Sequence, residues 1–191
     1  EILTVAAGDD DAFQRGNGTG LAVALSAIRI EKSTNEAVRS VGGFRFDNVQ
    51  IPRGARIVDA RLTVTQMLSG STSELHASIG CHAQDDAPDY ATQDIVSRTT
   101  AGSVDWGPLW AFGSSPRTSP NFASAVQAVV NRAGWMEGNA IGVRVTARSG
   151  TTSFVAFDCH SYDGDPTKAA TLTIEWEYQI TDGRIHFDGK V

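Results

Sequence analysis

The sequence predicts an all-β fold, a β-sandwich of jelly-roll type with one short α-helix packed against it as a lid. Three observations lead there. Roughly eight to ten short runs of alternating apolar residues follow one another between turns rich in Gly, Ser and Asp, the spacing of a sandwich rather than of a βαβ array. Only the stretch from Ser119 to Trp135 carries a helical period. The length, 191 residues, is that of one domain with a sizeable core. The boundaries that follow are a sandwich over 1–178 and a C-terminal extension over 179–191 with little to bury.

Ile2–Ala6 reads as the first strand, ahead of the acidic run Asp9-Asp10-Asp11. A glycine-rich loop, Gly16 to Gly20, leads into Leu21–Ile30. There the apolar phase moves from Leu21, Val23 and Leu25 to Ile28 and Ile30, the mark of a bulge or a bend. Glu31–Glu36 is a loop and Val38–Phe46 a strand, with Gly42-Gly43 as its bulge and Phe44 and Phe46 on one face. Ile51–Ala55 makes a turn. Ile57–Met67 alternates, placing Val58, Ala60, Leu62 and Val64 inward and Arg61, Thr63 and Thr65 outward. A turn at Ser69–Ser73 precedes the strand Leu75–Ala83. An acidic loop, Asp85–Thr92, a short strand near Ile95–Thr99 and an irregular approach from Val104 to Trp110 come next.

The helix has its own signals. Ser119 suits the N-cap and Pro120 the first helical position. Phe122, Val126, Val129 and Val130 fall at i, i+4, i+7 and i+8, a single apolar stripe. Arg132 stands at the negative end of the dipole and Gly134 stops the helix. Beyond it, Ile141–Arg148 and Phe154–Tyr162 form a hairpin about Ser149-Gly150-Thr151. Ala169–Tyr178 closes the sandwich, with Leu172, Ile174, Trp176 and Tyr178 on one face.

Several function classes are disfavoured. A net charge of -6 with both signs scattered argues against a nucleic-acid surface. No apolar run approaches the roughly 18–20 residues that span a bilayer. The chain has no Gly-x-Ser-x-Gly elbow, P-loop, His-Glu-x-x-His or recognisable pair of Glu, and its four histidines are scattered, so the expectation is a protein that is not an enzyme. Abundant Gly, Ser and Thr with little Lys is the composition of many secreted or virion-surface β proteins.

Several stretches together resemble one known family. They are Gly43 to Leu62, including Ile51-Pro52-Arg53-Gly54; Ser97-Arg98-Thr99-Thr100 through Val104-Asp105-Trp106; Ser119–Val130 with Arg132 to Trp135 and Gly138-Asn139; and Ser161 to Gly164 ahead of a last strand. In motif order over most of 8–178, they resemble the DNRLRE-type (disaggregatase-related) jelly-roll domains and the carbohydrate-binding modules grouped with them. The resemblance implies a non-catalytic carbohydrate-binding module of a secreted, extracellular protein, with a polysaccharide or glycan as partner. The alternative is a virion-surface structural protein, a capsid decoration or fibre subunit, whose jelly roll contacts other virion subunits or its own copies. Cys81, Cys159 and the tail after Tyr178 depart from the family pattern.

The candidate residues follow. Trp106, Trp110, Tyr90 and Tyr162 sit near loops, where an exposed ring could stack on a sugar face; the bland reading packs both tryptophans under the helix. Asp9, Asp10 and Asp11, or Asp163 and Asp165, could supply oxygens to a structural calcium ion of the kind jelly-roll modules often hold, against the alternative of solvated loops. Cys81-His82 and Cys159-His160 do not read as zinc ligands, because neighbouring strand residues point to opposite faces. Strand phase turns both thiols inward. A disulfide between Cys81 and Cys159 is the expectation, since an oxidising location fits both functional readings, and two separate buried thiols is the competitor.

Overall fold

The computed structural model describes residues 1–32, 39–67, 74–110, 115–148, 154–178, 180–181 and 184–185, without the side chains of Trp110 and of the residues after Tyr178. The chain forms the expected all-β sandwich with one short helix; strands make up 49% of it and helices 9%. The strands are β1 (Ile2–Thr4), β2 (Asp11–Arg15), β3 (Ala22–Val23), β4 (Ala27–Lys32), β5 (Ser40–Phe46), β6 (Arg56–Thr65), β7 (Glu74–His82), β8 (Thr100–Trp110), β9 (Pro116–Thr118), β10 (Ile141–Ala147), β11 (Val155–His160) and β12 (Thr171–Glu177). The helix α1 spans Ala123–Val130.

The smaller sheet runs β1-β12-β6-β9 and the larger β11-β4-β5-β10-β7-β8, with β2 on β5 and β3 on β2. Every pairing is antiparallel. Leu62, Val64, Leu172 and Ile174 from the small sheet share one core with Ile28, Phe44, Phe46, Ile79, Val143 and Phe157 from the large one. Along one side the sheets touch directly, where the Met67 N–H donates to the Asp158 carbonyl at 2.8 Å and Gln66 bridges to Cys159. Two further strands, β13 (Ile180–Thr181) and β14 (Arg184–Ile185), pair only with each other among the described residues.

The apolar stripe of the helix is buried as expected, Phe122, Val126, Val129 and Val130 being at most 1% exposed. Its start differs. Phe122 occupies the N-cap position, and Asn121 Oδ1, rather than Ser119, accepts from the Ala123 N–H at 2.8 Å. The Ser119 hydroxyl instead accepts from the Leu62 N–H and donates to the Pro120 carbonyl. Arg132 pairs with Asp85 rather than with the helix end.

These polar groups do a strand's work. Along the edge of β6 that β9 leaves open, Asn121 Oδ1 accepts from the Ala60 N–H and Gln127 Oε1 from the Ile57 N–H, while Gln127 Nε2 donates to the Ala55 carbonyl. The segment 119–127 thus covers an edge that would otherwise leave backbone donors unpaired beside the core. From there α1 also reaches β7 and β8 of the other sheet, so the lid closes the sandwich side. Trp135 lies under the helix end, its Nε1 donating to the Ile51 carbonyl at 2.9 Å.

Several sequence expectations are corrected. Val58 faces outward and is 39% exposed, with Ile57 buried in its stead. The register explains this: Glu175 faces Asp59 and Trp176 faces Ile57, leaving Val58 as the extra residue of a bulge. Gly42-Gly43 is no bulge, since β5 stays in register with β10 from Val41 to Phe46. Gly43 is there because a Cβ would lie 2.6 Å from the Tyr90 ring. Val104 to Trp110, expected as the start of an irregular approach to the helix, belongs to β8, the longest strand described. Residues 95–99 carry no strand. The turns expected at Ser69–Ser73 and Ser149–Thr151, and most of the loop expected at Glu31–Glu36, lie outside the described residues.

The disulfide is overturned as well. Cys81 and Cys159 both point into the core, but both are free. They stand on β7 and β11, with β10, β5 and β4 between them in the sheet. Burial pushes both thiols up, so they behave as small apolar side chains.

Candidate functional site

Alternation on β4 buries Ile28 and Ile30, which places Arg29 and Glu31 on the opposite face. On β2, the same rule puts Ala12 and Gln14 on one face and Phe13 and Arg15 on the other. The two strands meet at Ser40 of β5, which pairs with Arg15 from one and Glu31 from the other. Away from that junction they part, leaving a cleft of about 410 Å³. Phe13 and Arg15 form one wall and Ala27, Arg29 and Glu31 the other, with Ser40, Leu25, Ser26 and Asp158 completing the lining.

The cleft is electrostatically balanced and partly preorganised. Arg29 is fixed by Asp158, donating from Nε at 2.8 Å and from its terminal nitrogen at 2.9 Å in a bidentate pair across β4 and β11. Burial holds the Glu31 carboxyl above its usual range, against the opposing pull of Arg29 and Arg15. Arg15 is exposed and makes no ion pair among the described residues. The Ser40 hydroxyl is 3% exposed as a residue and has no hydrogen-bond partner among the described residues. A half-buried ring with guanidinium and carboxyl groups in one concavity suits a ligand with an apolar face rimmed by hydroxyls.

The chain matches no protein-family model and no curated protein. The cleft's function therefore has to be read from its chemistry.

The rings expected to stack on a ligand are mostly elsewhere. Tyr90 is 0% exposed, seated on Gly43 with its hydroxyl donating to the Val143 carbonyl at 3.4 Å and the Arg98 guanidinium 4.5 Å from the ring centre. The loop that carries it lies on the outer face of the large sheet, so a tyrosine in an acidic loop is buried by what the loop lands on. Trp106 is 5% exposed and belongs to the core. Tyr162 is half-buried against the core and does not line the cleft. Trp110 pairs through its backbone with Glu74, and its side chain lies outside what is described. The ring that does line the cleft is Phe13, which no sequence motif singles out.

The carboxylates expected to bind calcium are engaged separately, although Asp163 and Asp10 stand near enough to Asp11 to act on its charge. Asp9 is exposed, and Asp10 pairs with Arg45 at 2.7 Å. Asp165 accepts from the Thr167 N–H and hydroxyl and pairs with Lys168, which holds its carboxyl down at about 2. Asp163 lies close over Gly8. No group of three His, Cys, Asp or Glu arranged to hold a metal ion occurs among the described residues.

Asp11 is the exception in burial. It is 0% exposed; one carboxyl oxygen accepts from the Tyr162 N–H at 2.7 Å and the other has no partner among the described residues. Burial pushes its pKa from 3.8 up to about 7, outweighing that hydrogen bond. In this window the native state holds a proton the unfolded chain has released. Stability therefore falls as pH rises from 3.8 to about 7. Asp11→Asn, which keeps an acceptor and removes the charge, is expected to stabilise the domain by about 1–3 kcal/mol at pH 8 and by little near pH 4. Urea melts at the two pH values check it, and equal effects at both would refute the burial account.

Proposed function

We propose that this chain is a non-catalytic carbohydrate-binding module of a secreted or particle-surface protein, and that the cleft between β2 and β4 is its sugar site. The observation that carries the proposal is the meeting of the half-buried Phe13 ring with Arg15, Arg29, Glu31 and Asp158 in one concavity. A pyranose offers a C–H face for the ring and a rim of hydroxyls for charged donors and acceptors. The Arg29–Asp158 pair supports binding rather than chemistry, because it holds one of the two cleft carboxylates against a guanidinium. The sequence resemblance to carbohydrate-binding jelly rolls points the same way. With Cys81 and Cys159 free, the cysteines add nothing in favour of an oxidising compartment.

Affinity electrophoresis through gels holding neutral or uronate polysaccharides tests this. The parent should be retarded by at least one, and Arg15→Ala should weaken that retardation about tenfold, the ~1.4 kcal/mol expected of one charge-assisted hydrogen bond. Arg15 is exposed, so the melting temperature should not change. Retardation by none of the polysaccharides, in a protein that runs as a stable homo-oligomer, would shift the reading to a particle-surface subunit.

A further inference from the structure

We infer that the cleft is one end of a longer groove that takes a linear oligosaccharide, with Phe154 as a second stacking platform outside it; this rests on the carbohydrate reading of the cleft. Phe154 is 58% exposed and presents a large apolar ring to water. Its position is set by β11. Phe154 directly precedes β11, and carrying the strand's alternation one residue back puts it on the face of Ala156 and Asp158, while Val155, Phe157 and Cys159 point into the core. Across the ladder Asp158 faces Arg29 and Ala156 faces Glu31.

Phe154 is therefore the diagonal neighbour of Glu31, at the roughly 7–8 Å where an aromatic side chain still reaches across a sheet. Ala156, buried at 7% exposure, is the small side chain between Glu31 and Phe154 and can form only the floor of such a path. The groove thus runs from Leu25 and Ser26, past the Arg29–Asp158 pair, to the row of Arg15, Ser40 and Glu31, and on to Phe154. Asp158 to Phe154 is about 13 Å of extended backbone at about 3.3 Å per residue, too long for a single sugar ring. A ring exposed in line with a polar cleft fits a chain whose successive units lie flat on Phe154 and turn their hydroxyls to the charged row.

The test is isothermal titration of the parent, Phe154→Ala and Arg15→Ala with β-1,4-linked gluco-, xylo- and manno-oligosaccharides and α-1,4-galacturonides, each as dimer and hexamer. The parent should bind the hexamer of one series more tightly than its dimer. Phe154→Ala should lose about tenfold on the hexamer and nothing on the dimer, whereas Arg15→Ala should weaken both. If the hexamer binds no better than the dimer, or Phe154→Ala binds the hexamer like the parent, the groove is overturned while the cleft stands. If the parent binds no oligosaccharide in either length, the cleft falls and the groove with it.

Discussion

Val126→Asp is expected to abolish the cooperative fold or to lower the melting temperature by roughly 10–15 °C. Val126 is 0% exposed, on the face of α1 turned toward the core, with Phe122, Val129 and Val130 beside it. A carboxylate there has no cation to meet, and an uncompensated buried charge costs on the order of 3–5 kcal/mol. The loss extends beyond the helix. Asn121 and Gln127 supply the hydrogen bonds of the open β6 edge, so lifting α1 off the core strips the Ala60 and Ile57 N–H groups of their partners. Ser124→Asp, on the exposed side of the same helix, is the control and should change the melting temperature by no more than about 2 °C. Near-equal melting of Val126→Asp and the control would mean that the stripe is not what seats the lid.

What the sequence disclosed and what it hid divide along the range of the interaction. The helix stripe and the alternation of β10 are local periods, and burial followed them; on β12 it followed as far as Ile174, but past the bulge Trp176 is only half-buried and Tyr178 is 44% exposed. The helix starts later than Ser119 and Pro120 suggest because the Ser119 hydroxyl is engaged by Leu62, a strand partner far away in sequence. Val58 fell on the wrong face because its bulge is defined only against β12. Gly42-Gly43 looked like a kink; the reason for Gly43 is Tyr90, a ring from a distant loop.

The cleft was the least legible part. Its walls come from β2, β4, β5 and β11, and its pinned charge pair joins Arg29 to Asp158 across most of the chain. One local signal was present. Arg29 and Glu31 alternate with Ile28 and Ile30, which marks β4 as a strand with one charged face. What that face looks onto depends on β2 and β4 parting beyond Ser40, and no period in the sequence records that.

Arg98→Ala is expected to cost about 3–5 kcal/mol and to loosen residues 85–99 before the rest of the domain. Arg98 is 3% exposed and has no carboxylate in an ion pair among the described residues. Backbone carbonyls surround it instead. Its nitrogens donate to the carbonyls of Pro88, Asp89, Gln93 and Asp94, while its flat face lies 4.5 Å from the Tyr90 ring centre. Burial pulls its pKa down, yet an arginine in this setting stays charged, so the loop is folded around a permanent cation. Removing the guanidinium leaves several carbonyls unpaired under Tyr90, each worth about 1–3 kcal/mol when buried, less what water entering the loop restores. Gln14 still holds the Ile95 and Val96 N–H groups at 2.9 Å, so the loop should detach from its Pro88–Gln93 part first. Arg98→Lys should recover only a fraction, because one ammonium cannot reach carbonyls spread around a planar fork. Amide hydrogen exchange by mass spectrometry, run beside thermal melts, separates the outcomes. Faster exchange confined to 85–99 with a lowered melting temperature is the expected result. Unchanged exchange there, with the parent's melting temperature, would show that the cation does not hold the loop.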